Sequence, residues 1–437
     1  MRWKNTEYTG WGRALRATAD IARPERQSDL VALSTETPAP AIGQLRSYGD
    51  VALNNSGRAI DMTRFTRILA FDKDTGRVSV EAGVQIGDLA LAFAARGWIP
   101  PVMPGTGFAT VGGCIANDVH GKNHHVVGSF GQHVTEISLL QNGKKKTVTL
   151  EKTPDLFKAT VGGMGQTGII ASATIQLMPC KGDLMVLPDR RIAGWEEFLS
   201  VLDGSTSDYT VGWVDATAKG DQLGRGILEE GEITSGVSPT KSKSREVPFN
   251  APHWALSGPI VRMFNEAYFR RVPSQGRTTV KPITDPFFPL DKIHNWNRLY
   301  GKRGFHQFQC VVPLDQADTL RRILELIANS GLASPLAVLK RMGAGRAGYM
   351  SFPMEGYTLA VDFPNRSGAR SLIGELERMA ENAGGRIYFA KDALCTPDRV
   401  AGMYPEHGKW LAAVTKADPD GKLTTDLVRR LKLRKSK

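Results

Sequence analysis

The stretch PGTGFATVGGCIANDVHGKNHHVVGSFGQH, residues 104–133, decides how this chain is read. Gly105, Gly107, Gly112 and Gly113 fall within nine positions, with Thr106 and Thr110 between them. Glycines clustered in this way let backbone N–H groups turn toward one anion with no Cβ in the way, which is what a pyrophosphate requires. The pattern is not a Rossmann fingerprint. Thr110 stands where the third glycine belongs, and the segment lies past residue 100 rather than in a leading strand–turn–helix unit. Half of the eight histidines fall here: His120, His124, His125 and His133. His120 and His124 have i, i+4 spacing, but the loop is broken by glycine and no carboxylate or thiolate completes a set, so no metal is expected. Histidines that hydrogen-bond a cofactor's ring or phosphates suit the stretch better.

Outward from this centre the texture is that of short strands. Residues 67–84 read as a hairpin turning at Asp72-Lys73-Asp74-Thr75-Gly76, and residues 134–150 as another turning at Asn142-Gly143. Residues 85–96 place Ile86, Leu89, Ala90 and Phe93 on one helical face, with Gly97 as terminator. Residues 114–119 look strand-like, residues 155–161 suit a short helix, and residues 168–177 a strand. After Cys180 the composition shifts. Strand-like runs at 209–214, 306–312 and 357–363 alternate with amphipathic helices at 315–329 and 368–382, closed by Gly331 and by Gly384-Gly385. Residues 219–252, rich in Gly, Ser, Lys and Glu, read as loops or a lid. Residues 281–289, with three prolines, read as an irregular surface loop. The class is α+β.

With 437 residues the chain is longer than one compact domain usually runs. No apolar run approaches the ~20 residues that span a bilayer, and residues 1–7 lack the apolar core of a secretory signal, so a cytoplasmic place is expected. The four cysteines, Cys114, Cys180, Cys310 and Cys395, have no paired spacing and read as reduced thiols. The net charge of +12 points to an anionic partner. Part of it sits in the run RRLKLRKSK at 429–437, which reads either as a solvated terminus or as a basic tail for a membrane surface. The remaining basic residues are scattered and no nucleic-acid module is recognisable, so no nucleic acid is expected.

Several motifs then carry a resemblance. Arg46-Ser47-Tyr48-Gly49-Asp50, Ile60-Asp61-Met62, Val80-Glu81-Ala82-Gly83-Val84, Pro104-Gly105-Thr106, Val111-Gly112-Gly113 and His120 to His125 resemble the FAD-binding domain of the vanillyl-alcohol-oxidase superfamily. More narrowly, RSYGD (46–50), HGKNHH (120–125), GSFG (128–131) and ATVGG–G–TGII (159–170) resemble the decaprenylphosphoryl-β-D-ribose oxidase family. Those flavoenzymes perform the first half of an epimerisation that makes the arabinose donor for cell-wall polymers. TGWGR (9–13), WNR-x-YG (296–301), VDFP (361–364), AKD (390–392) and DLVRRL (426–431) recur in family order, so the resemblance covers essentially the whole chain.

The resemblance implies a two-domain vanillyl-alcohol-oxidase fold. A PCMH-type FAD-binding domain would comprise residues 1–180 and 386–437, and an antiparallel-sheet substrate domain with helices residues 181–385. FAD would be dissociable, held by Arg46, Ser47, Tyr48, Gly49, Asp50, Pro104, Gly105, Thr106, Thr110, Gly112, Gly113, Asn117, His120, Gly121, Asn123, Gly168 and Ile170. Trp213, Gln307, Gln309, Lys340, Asp362, Tyr388 and Lys391 would form the substrate pocket. Lys391 would carry the electrostatic role beside the reduced flavin. Tyr48 or His120 would accept or relay the hydroxyl proton, with no ranking between them. The implied reaction oxidises the 2-hydroxyl of a polyprenylphosphoryl-β-D-ribofuranose, with a separate NAD(P)H-dependent keto-reductase completing the epimerisation and contact at the inner membrane face. Oxidation of a soluble sugar, aldonolactone or alditol is the alternative. Three departures stand out: Met164 where Asn is usual, Ala360 where mycobacterial members carry a reactive cysteine, and the divergent stretch 219–252.

Overall fold

The computed structural model describes residues 2–236 and 244–435. The chain opens with the antiparallel strands Trp3–Thr9 and Arg16–Ala22, extended in parallel by Arg58–Asp61 and Ala41–Ile42. A five-stranded antiparallel sheet follows, in the order Ile68–Asp72, Arg77–Glu81, Ile169–Gln176, Val134–Gln141, Lys144–Val148. Both of its hairpins turn where the sequence indicates. At Asn142-Gly143 the φ angles of 46° and 75° are the paired left-handed values that a two-residue hairpin turn requires.

The third sheet has eight strands, all antiparallel: Arg277–Pro282, Leu184–Ile192, Gly226–Thr234, Tyr209–Val214, Ala337–Met342, Gly356–Pro364, Phe305–Val312 and Arg386–Ile387. Helices Ala317–Ser330 and Ala369–Asn382 cover one face. They bury Leu320, Ile323, Leu324 and Ile327 from the first and Leu372, Ile373, Leu376 and Ala380 from the second. The two-residue period of the strands then sorts the sheet. Phe308, Cys310, Leu339, Leu359 and Val361 join the apolar core, while Gln307, Gln309, Val338, Lys340 and Ala360 point to the opposite face and line a cavity. The molecule is thus α+β, and a large cavity lies where this sheet meets the two N-terminal ones.

Four sequence expectations are corrected. The stretch 219–252 contains the nine-residue strand Gly226–Thr234: Ile227 and Leu228 are fully buried, and the acids that disguise it pair with arginines, Glu229 with Arg271 and Glu230 with Arg190. Residues 237–243 of that stretch lie outside the described residues. The stretch 281–289 is no surface loop. It ends one strand, forms the short helix Thr284–Phe287, and buries Ile283, Phe287 and Phe288, with Phe287 edge-on to Tyr209. The strand-like run at 114–119 begins instead inside the helix Val111–Ala116, because the Thr110 hydroxyl accepts from the Gly113 amide and caps it.

The C-terminal run is the fourth correction. Leu431 and Leu433 are fully buried, and each described arginine of the run has an acidic partner: Arg429 with Asp426, Arg430 with Asp50 and Asp392, Arg434 with Asp418. It is part of the folded body, not a loose basic tail. Ser436 and Lys437 lie outside the described residues.

Candidate active site

The cavity has a volume of ≈ 670 Å³, within the ~300–1,000 Å³ range usual for cofactor and ligand sites. Arg46, Ser47, Tyr48, Pro104, Gly105, Thr106, Thr110, Gly112, Gly113, Asn117, His120, Gly121 and Ile170 line it from the N-terminal side. Gln307, Gln309, Lys340, Tyr388 and Lys391 line it from the other. Six residues named from the sequence do not reach it. Gly49 is held by packing, since a Cβ there would lie 1.6 Å from the Asp392 carbonyl oxygen. Asp50 is the buried partner of Arg430. Asn123 donates to the Pro101 carbonyl, and Gly168 sits at φ +150° against Leu139 and Leu140. Trp213 donates to the Pro335 carbonyl and packs on Tyr268, leaving Val211 on its strand to line the cavity. Asp362 stands behind Gln307.

Which groups remain to hold an anion follows from counting amides. Those of Val111, Gly112, Gly113 and Cys114 are already committed, to Val84, Ala82, the Thr110 hydroxyl and the Thr110 carbonyl. The Gly107 amide and the Thr106 hydroxyl donate to the Asp291 carboxylate at 2.7 Å each. Among the described residues, the amides of Gly43 to Ser47 and of Gly105 and Thr106 meet no protein acceptor. Gly105 also opens onto empty space, with nothing within 4 Å of a Cβ built there. Arg46 lies beside them, its guanidinium 4.2 Å from the Trp11 ring and 4.4 Å from that of Phe108, with Nε buried and unpartnered. The free amides at 43–47 and 105–106 could hold a diphosphate, while Gly112, which also lines the cavity, lets the short helix pack against Ala82.

At the other end stands a connected polar cluster. His120 Nδ1 is 3.1 Å from Lys340 Nζ, and its Nε2 is 3.1 Å from the Gln309 side-chain amide. Burial lowers Lys340 to about 7, aided by Lys122 and Lys391. Burial, then Lys340 and His124, hold His120 well below the ordinary imidazole value. The Lys340 amine can donate to His120 Nδ1, and burial disfavours a charge on either group. A carboxylate, Asp118, fixes the loop that carries His120: it accepts from Ser129 Oγ, the Gly131 and Ala347 amides and Ser351 Oγ.

Lys391 forms the second half. Its Nζ sits 3.5 Å over the Tyr48 ring. Burial lowers it to about 8, opposed by Asp362. Asp362 accepts from Gln307 at 2.5 Å and from the Tyr300 hydroxyl at 3.1 Å, and burial raises it to about 7. The Tyr48 amide donates to the Ala390 carbonyl, which ties the two loops together. Tyr388 stacks on Phe352, and its ring centroid is 5.6 Å from that of His120. Two departures noted in the sequence, Met164 and Ala360, also line the cavity, and Met164 carries a left-handed φ of 56° of the kind Asn tolerates better.

Asp291, Trp11, Phe108, Trp296 and Lys122 line the cavity without having been assigned to the site from the sequence. Asp291 and Lys122 carried charge as a signal, but only the tertiary fold supplies their partners. No group of three or more His, Cys, Asp or Glu able to hold a metal occurs among the described residues. No helix among them is long and apolar enough to cross a membrane.

Comparison with known proteins agrees with this geometry. An FAD binding domain is matched over residues 21–151. Decaprenylphosphoryl-β-D-ribose oxidase of Mycolicibacterium smegmatis is 36% identical over 97% of this chain and 97% of its own. An uncharacterised Streptomyces coelicolor protein is 30% identical over 77% of this chain and 96% of its own. L-gulono-1,4-lactone dehydrogenase of Mycobacterium tuberculosis is 21% identical over 97% of this chain and 98% of its own.

Proposed function

The chain belongs to the decaprenylphosphoryl-β-D-ribose oxidase family of FAD-dependent oxidoreductases, and we propose that it oxidises the 2-hydroxyl of a polyprenylphosphoryl-β-D-ribofuranose to the 2-keto sugar. The observation that carries this reading is the meeting, in one cavity, of uncommitted backbone amides with the His120–Lys340 pair and the Lys391 ammonium.

Oxidising a secondary alcohol removes the hydroxyl proton and a hydride from the same carbon. FAD, bound without a covalent link, supplies the hydride acceptor. Its diphosphate would rest on the amides at 43–47 and 105–106, with Arg46 beside it. The proton goes to the His120–Lys340 pair. His120 already bonds Lys340 through one ring nitrogen, and Lys340 near 7 is half discharged at neutral pH. Tyr48 suits this task less well, because burial and the nearby Asp362 and Asp291 push its phenol up. Its ring instead supports the Lys391 ammonium, whose charge offsets the negative charge developing nearby. Gln307 and Gln309 present amides to sugar hydroxyls.

We divide the chain accordingly, with residues 1–180 and 386–437 holding FAD and residues 181–385 holding the sugar. A separate NAD(P)H-dependent reductase consumes the keto product. The test uses the FAD-loaded protein under anaerobic conditions. Farnesylphosphoryl-ribofuranose bleaches the flavin in a single turnover, and gulonolactone and alditols do not. Bleaching by the lactone alone would overturn the assignment.

A further inference from the structure

Large apolar side chains are exposed at several places, Leu91, Val126 and Leu150 among them, but five gather on neighbouring elements: Phe249, Trp254, Met263, Phe264 and Leu299, at 72, 59, 69, 49 and 43% exposed. They come from four pieces of chain joined through one turn. The turn His253–Leu256 packs against both the helix Gly258–Arg270 and the turn Trp296–Tyr300, and the Ala251 amide next to Phe249 donates to the Arg298 carbonyl. Large apolar groups gathered on one face, rather than scattered singly, mark an interaction surface.

Cations frame this face. Arg262, Lys302 and Arg303 are exposed, and among the described residues none makes an ion pair. Lys302 and Arg303 line a second hollow of ≈ 330 Å³ together with Leu256, Leu299 and Arg366. The acids nearest in sequence, Glu246 and Glu266, are occupied by Arg298 and by Arg225 and Arg270. The face also adjoins the active site. In the single turn Trp296–Tyr300, Trp296 lines the main cavity while Leu299 lines the second hollow and is exposed.

We infer that Phe249, Trp254, Met263, Phe264 and Leu299, framed by Arg262, Lys302 and Arg303, form a docking face for an anionic phospholipid surface. Aromatic and aliphatic tips enter the acyl boundary and the cations meet headgroup phosphates, the arrangement by which peripheral proteins hold a bilayer interface. This deepens the proposed function, because a polyprenyl substrate reaches the cavity from a bilayer. It also moves the membrane contact away from the C-terminal run, whose arginines are internally paired.

The test is co-sedimentation of the FAD-loaded full chain with vesicles of phosphatidylglycerol and phosphatidylcholine. The wild type binds these and releases with salt, and binds pure phosphatidylcholine poorly. Each cation near the surface is worth roughly fivefold in partitioning, so Lys302→Gln with Arg303→Gln weakens binding about twenty-five-fold. Trp254→Ser with Phe264→Ser weakens it at least comparably, and the binding that remains stays salt-sensitive, whereas the cation variant loses that sensitivity. Flavin content and turnover of a water-soluble short-prenyl substrate stay at wild-type values in both variants, which separates this inference from the choice of substrate. Equal partitioning of wild type and variants, or a wild type that ignores anionic vesicles because the face receives a protein, would overturn it.

Discussion

Replacing Lys340 by methionine tests the mechanism most directly. Methionine keeps the length and apolar stem of the side chain while deleting the amine that lies 3.1 Å from His120 Nδ1. Lys340 titrates near 7 because burial, Lys122 and Lys391 all disfavour its charge. The proton-accepting amine therefore prevails above pH 7 and falls roughly tenfold per unit below it. If this pair takes the substrate proton, flavin reduction in the wild type rises with pH through about 7. Positioned proton transfer contributes about 10²–10⁴ in rate, so Lys340→Met slows reduction by that order and erases the acid limb. Lys340→Arg distinguishes a relay from an electrostatic clamp. Arginine keeps the positive charge but does not discharge in proteins. A relay stays disabled in Lys340→Arg, whereas a clamp for an anionic substrate recovers. Anaerobic stopped-flow reduction across pH 5.5–9 reads both, with Asp362→Asn alongside to remove the other group that titrates near 7. Wild-type reduction rates with an intact acid limb in Lys340→Arg would refute the relay.

Other parts of the site give further expectations. Lys391, lowered to about 8, loses its ammonium as pH rises, so reduction declines above about pH 8; Lys391→Arg moves that alkaline limb out of range while Lys391→Met lowers the rate throughout. Asp291→Ala removes the acceptor of two bonds worth about 1.5–3 kcal/mol each, and a roughly tenfold or larger rise in the FAD dissociation constant by fluorescence titration is expected. Arg430→Met strands two buried acids and costs about 3–5 kcal/mol in denaturant titration; adding Asp50→Asn and Asp392→Asn restores much of it. Ala360 faces the cavity, so thiol-directed inhibitors form no adduct at this position in the wild type, whereas Ala360→Cys is labelled and inactivated, as intact-mass measurement will show.

Much of the fold is legible because local chemistry and final structure agree. The Asn142-Gly143 hairpin, the helix Ile86–Ala94 and the two amphipathic helices that back the large sheet need no distant information. The strand Gly226–Thr234 is hidden for the opposite reason. Its Glu229 and Glu230 look like surface residues until Arg271 and Arg190 arrive from other elements to pair with them. The prolines around Phe287, of which Pro286 is buried, mislead in the same way. Proline marks where a regular element stops, and says nothing of whether the stop is exposed.

The site shows the same division, and the C-terminal run shows what it means for function. Arg430 and Arg434 in RRLKLRKSK read as surplus charge because their counterions lie elsewhere in the sequence. Arg430 reaches Asp50, beside Tyr48 and Gly49, and Asp392, beside Lys391. Those loops already meet through the Tyr48 amide and the Ala390 carbonyl, and Gly49 leaves room for nothing larger against Asp392. A buried ion pair contributes little net stability against an apolar replacement, but its geometry is demanding. Here that geometry fixes the spacing between the Lys391 ammonium and the Tyr48 ring. The terminal helix Asp426–Arg430, far from the cavity in sequence and absent from its walls, thereby sets the distance on which the electrostatics of the site depend.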